Sequence, residues 1–207
     1  MRPKGEEPAP EVLNGLAKAF DLMKYDVGLL AQGEAEVLQF AGVDTENWLK
    51  TAAEAPYTII ETSNGDKIGF LRFPSLPAGD DMPSTNLIKK ISKAVKKERE
   101  NVRLLIGLSD WGWVGEREYL AQNPDFVPDF LFGSGRGSGV NGRIEADGRC
   151  AWVRPYDKGR TVSEVQVYAW PSRTKSFEWK EPDNIKSLST GLGDQYHDNP
   201  AVGAILQ

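Results

Sequence analysis

Imidazole is almost missing from this chain: among 207 residues the single histidine is His197, in the polar stretch DQYHDNP. Any mechanism that needs several imidazoles is excluded on that count. Cysteine is equally scarce, and Cys150 alone rules out an internal disulfide or a cysteine-based zinc cluster. A lone thiol of this kind reads as a packed core residue. No run approaches the roughly 20 apolar residues needed to cross a bilayer, and the opening MRPKGEEPAP carries no apolar segment of a signal peptide. A surplus of basic residues is also lacking. The formal charge of −5 weighs against a nucleic-acid partner, because phosphate contacts need an excess of Lys and Arg. What is present, 40% hydrophobic and 27% charged residues, is ordinary for a soluble globular domain and ample to bury one continuous core.

The pattern along the chain predicts an α/β domain. Val12, Leu16, Phe20 and Met23 recur at helical spacing behind Pro10, which suits a first helical turn, so a helix is expected over 10–24. VGLLA at 27–31 is apolar without alternation and reads as a strand buried on both faces. A second helical stretch is expected around Trp48 and Leu49. YTIIET and KIGFLRF flank Asn64-Gly65 and predict a β-hairpin. Leu87, Ile88, Ile91 and Val95 mark the apolar face of a helix over about 84–101, with lysines on a solvated face opposite. VRLLIGL at 102–108 and DFLFG at 129–133 are buried strands around a helical stretch at 114–122, an order that implies parallel pairing. After residue 140 the texture alternates and turns at glycine, as antiparallel strands do, up to Pro171. The expected organisation is a leader over 1–9, a domain over 10–170, and an extension over 171–207 that wraps the surface or frays.

Three strand ends carry the segments of interest, at the place where open α/β sheets put their ligands. They are MKYDVGLLAQGEAEV, VRLLIGLSDWGW and PDFLFGSGRG. In frame and order these resemble the calcineurin-like metallophosphoesterases of the 5′-nucleotidase and UDP-sugar hydrolase branch. The first resembles that family's segment ending Gly-Asn-His-Glu, with Gln32 at the Asn position, Gly33 at the His position and Glu34 retained. In the second, Asp110 stands where the family has histidine. In the third, Ser134 replaces a glycine, and Gly135 and Gly137 replace two histidines. The resemblance covers roughly 10–170 and implies a layered sheet sandwich flanked by helices. It also implies two metal-bearing strands ahead of this chain's first one, and a base-binding domain behind it, that the chain does not contain. A periplasmic or envelope setting is implied by the likeness alone.

Chemically, a two-metal hydrolase needs His and carboxylate ligands in fixed geometry, and glycine supplies none. Gln32, Glu34 and Asp110 remain; the plain reading of the two acids is a helix-start carboxylate or a loop cap. No catalytic residue, metal ligand or cofactor is therefore expected, and Gln32, Gly33, Glu34, Asp110, Ser134, Gly135, Arg136 and Gly137 read as a vestigial cleft. GSGRGSG at 133–139 invites a phosphate-cradle reading, although it matches neither the dinucleotide fingerprint nor a phosphate loop. The plainer reading is that small residues fill a lost metal site. Arg136 could grip an anion, and Trp111 and Trp113 could stack a ligand, where packing is the ordinary role of such rings. Ser109 with Asp110 lacks a base for a serine nucleophile, and nothing fixes a Glu34–Asp110 separation for glycoside hydrolysis. The favoured expectation is a catalytically degenerate phosphoesterase-like domain serving as a binding or structural module for an unknown protein partner. The alternatives are a phosphoester hydrolase whose atypical metal site is completed by upstream residues, and a subunit whose open sheet is completed by self-association or another chain.

Overall fold

The computed structural model describes residues 8–45, 47–156 and 159–206. In chain order the elements are α1 (Pro10–Leu22), β1 (Gly28–Leu29), α2 (Gln32–Phe40), β2 (Leu49–Lys50), β3 (Tyr57–Glu61), β4 (Lys67–Arg72) and α3 (Thr85–Glu98), which runs into a 3-10 turn at Arg99–Asn101. β5 (Leu104–Ser109), α4 (Gly112–Ala121), β6 (Phe130–Gly133), β7 (Val140–Glu145) and β8 (Cys150–Arg154) follow. The chain closes with β9 (Thr161–Val167), β10 (Ile185–Gly191) and α5 (Pro200–Leu206).

Six strands form one sheet in the order β3-β4-β5-β6-β8-β7. The middle four run parallel, and β3 and β7 pair antiparallel at the two edges. The period-2 alternation of a strand decides the layering. Leu105 and Leu131 face α3 and α4, in a core with Ile88, Ile91, Val95, Tyr119 and Trp152. Leu104, Ile106 and Phe130 face the other side, where Trp179, Ile185 and the antiparallel β9–β10 pair cover them. The result is the expected mixed α/β architecture: helices, a six-stranded sheet, and a two-stranded hairpin layer. Among the described residues no helix is long and apolar enough to cross a membrane.

Local chemistry explains the strongest elements. Ser84 caps α3 by accepting the Leu87 N–H at 3.2 Å, and Lys96 and Lys97 in the last turn oppose the helix dipole. Its buried Ile88, Ile91 and Val95 each stabilise the fold by about 1.5–3 kcal/mol. The β3–β4 hairpin turns at Gly65, whose φ of +81° few other residues would adopt.

Two expectations need correction. The stretch 27–31 supplies only the two residues of β1, which pair parallel with β2 in a separate small sheet. Within it only Leu30 is buried and the other four residues are half-buried, so the run is not enclosed on both faces. Trp48 and Leu49 are not helical: Leu49 begins β2, and the helix lies earlier, at α2. α2 has no fully buried residue, so its apolar period is faint. The weakly patterned region after 171 contributes Trp179, Ile185 and the whole of β10, which pairs with β9. Among the described residues each strand of the central sheet is hydrogen-bonded to its neighbours in that order.

Candidate functional site

The carboxyl ends of β4, β5, β6 and β8 lie side by side, and the loops that leave them meet. After β4, the chain reaches Ser75, whose hydroxyl donates to Asp110 Oδ2 at 2.5 Å and accepts the Gln32 N–H at 3.1 Å. One hydroxyl thus joins the start of α2 to the loop after β5. That loop in turn packs against the loop after β6. Gly112 N–H donates to Ser134 O at 3.0 Å, Trp113 N–H to Arg136 O at 2.8 Å, and Ser134 N–H to Ser109 O at 2.8 Å. The three segments singled out in the sequence therefore form one contiguous surface.

Within it the individual residues differ in availability. Gln32 is exposed at the first position of α2, and its side-chain amide donates to Glu36. Gly33 is half-buried, while the exposed Glu34 accepts the Ala31 N–H at 3.3 Å, closing the first turn of the helix. Asp110 is half-buried; burial pushes its carboxyl pKa up, against the opposing hydrogen bond from Ser75. Its Oδ1 has no partner among the described residues. Ser134, Gly135, Arg136 and Gly137 are exposed. Trp111 is 7% exposed, packed against Phe73 and Tyr119 with its indole N–H donating to Pro74 O at 2.7 Å. That ring belongs to the core and offers no face to a ligand. Trp113 is half-buried, with the Arg117 guanidinium 4.4 Å from its ring centroid. Cys150 is fully buried, and burial pushes its thiol pKa well up, which makes it unreactive. His197 is exposed in the segment before α5.

Three residues that shape the site carry no mark in the reading of the sequence. Ser75 is one, although it follows the carboxyl end of a parallel strand like the others. The second and third are Glu116 and Arg154, an ion pair at 2.7 Å whose side chains are 0% and 2% exposed. Glu116 also accepts the Trp152 indole N–H at 2.8 Å. Burial pushes the Glu116 carboxyl pKa up, and the adjacent guanidinium offsets only part of that rise. Arg154 reaches under the 133–139 loop and donates to Ser134 O at 2.8 Å, Gly135 O at 3.1 Å, Ser138 O at 3.2 Å and Arg136 O at 3.3 Å. A charged residue closing the otherwise apolar run CAWV was the available signal.

The donor set does not fit the metal pair that the resemblance implies. A Cβ at Gly135 would stand 2.7 Å from Asp110 O, and one at Gly137 would run into the Trp113 Cβ. Both glycines have positive φ, +81° and +112°, where a histidine would be strained. Among the described residues no three His, Cys, Asp or Glu side chains come together as a group able to hold a metal ion. Beneath the loop lies the guanidinium of Arg154, a fixed positive charge that disfavours a second cation.

No family model matches the chain, and no curated protein matches it. Among solved structures it is similar to a hypothetical protein from Thermus thermophilus, at 13% identity over 72% of this chain and 71% of that one, with a TM-score of 0.36. A superposition that loose defines no shared fold.

Proposed function

We propose that this chain is a catalytically degenerate domain of the 5′-nucleotidase-like phosphoesterase type that works as a binding module. The single observation that supports it most is the collapsed loop after β6: the positions aligned with histidines are glycines whose Cβ directions are filled by the Asp110 backbone and Trp113. Substituting imidazoles back would require the loop to move, so the site is rebuilt and not merely mutated. Shared architecture alone would not carry function, and the rearranged side chains carry more weight than the likeness. A periplasmic or envelope setting belongs to the same proposal and rests on the likeness alone.

The test is metal content together with turnover. Protein purified with Mn²⁺, Co²⁺ or Zn²⁺ and assayed on nitrophenyl phosphate, nucleoside monophosphates and UDP-sugars should retain no stoichiometric metal and hydrolyse none of them. Turnover that rises in proportion to bound metal would sink the reading.

A further inference from the structure

The loop over 134–138 is turned inside out by Arg154. The carbonyls of Ser134, Gly135 and Arg136 all accept from its guanidinium, at 2.8, 3.1 and 3.3 Å, and the amides of Gly112 and Trp113 donate to the first and third of them. In a planar trans peptide the N–H points opposite to the carbonyl of the same unit. The amides of Gly135, Arg136 and Gly137 therefore point away from the protein interior, and all three residues are exposed. Among the described residues none of these amides donates to a backbone carbonyl outside regular elements or to a side chain. Successive outward amides with left-handed glycines at φ +81° and +112° form a concavity lined with positive partial charge.

Charged groups around the concavity favour an anion. The exposed Arg136 lies at its centre, and Arg117 is held on the Trp113 ring next to it. Of the neighbouring carboxylates, Glu116 is engaged by Arg154 and Trp152, and Asp110 is held by Ser75 through Oδ2 alone. We infer that residues 134–138 form an oxyanion site that takes a phosphate group, free or as a monoester, on the amides of Gly135, Arg136 and Gly137 with the Arg136 guanidinium as a second hold. This rests on the reading that the carboxyl end of the sheet binds without catalysing.

The experiment is a titration of the full, ¹⁵N-labelled chain with inorganic phosphate in the presence of EDTA, followed by amide chemical shifts. The expected result is saturable movement of the Gly135, Arg136 and Gly137 amides at millimolar phosphate, with glucose 6-phosphate as the monoester arm and sodium acetate and chloride as controls. Arg136→Ala should weaken binding about tenfold while leaving the backbone intact, and Arg117→Ala should weaken it less. No movement of these amides, movement confined to the lysine face of α3, or an equal response to chloride would each overturn the inference. Because EDTA removes metal, loss of phosphate binding here is separable from metal-linked turnover, which bears on the proposed function instead.

Discussion

At the amino end of β6 the carboxylate of Asp129, 2% exposed, accepts the Leu105 N–H at 2.7 Å and a fork from Arg173 at 2.8 and 2.6 Å, with Arg99 at 3.6 Å. At the carboxyl ends Glu116 is sealed against Arg154 and Trp152. Both are buried acids held by arginine, yet the surroundings differ. The arginines on Asp129 are 22% and 26% exposed, so water reaches them, whereas Arg154 is 2% exposed and spends its remaining donors on loop carbonyls. The first knot ties the C-terminal segment to the sheet; the second sets the conformation of the candidate site. An ion pair open to water is tolerant of loss, and a sealed one is not.

That contrast can be broken from its strong side first. Glu116→Ala leaves Arg154 buried without a counter-ion and should cost about 3–5 kcal/mol. Urea unfolding would measure it, and the Glu116→Leu, Arg154→Met double variant should recover part of the loss. A loss below about 1 kcal/mol would show that the pair is hydrated after all. Asp129→Asn should cost less, about 1–3 kcal/mol, because Arg173 and Arg99 can turn to solvent; a loss equal to that of Glu116→Ala erases the distinction between the two ends. The smallest effect belongs to Asp110. Its folded pKa lies above the ordinary 3.8, so the folded state holds its proton longer than the unfolded one. Stability from this group is present below the unfolded pKa and is lost as pH rises through the folded value. Asp110→Asn should flatten that fall and be neutral or slightly stabilising at pH 7, within about 1 kcal/mol. A marked destabilisation at pH 7 would mean that the charged form is the one the fold prefers.

How much of this could be read beforehand follows from burial. α3, the β3–β4 hairpin, and β5 and β6 announce themselves because their apolar positions keep one period and end at clear turn residues. β10 does not, since IKSLSTG buries only Ile185 and Ser187 fully and takes its direction from β9. The meeting of Gln32, Asp110 and the 133–139 loop could be expected from their places at strand ends. What could not be expected is the agent that joins them: a serine hydroxyl and a buried guanidinium, each an ordinary residue whose partners lie tens of positions away. Hydrogen-bond partners at such separations leave no local trace in sequence.

Arg72 gives the molecule a further property. Its guanidinium, 3% exposed as a residue, donates to Gly28 O at 2.7 Å, Trp48 O at 3.3 Å, Ala55 O at 2.9 Å and Thr58 Oγ1 at 2.8 Å. The two-residue strands β1 and β2 share no ladder with the six-stranded sheet, and this side chain, together with the Ser75 hydroxyl bonded to the start of α2, bridges the two assemblies. The amino-terminal quarter is therefore clasped and not woven in. Its amides should exchange with solvent by opening as a unit well before the parallel strands release theirs.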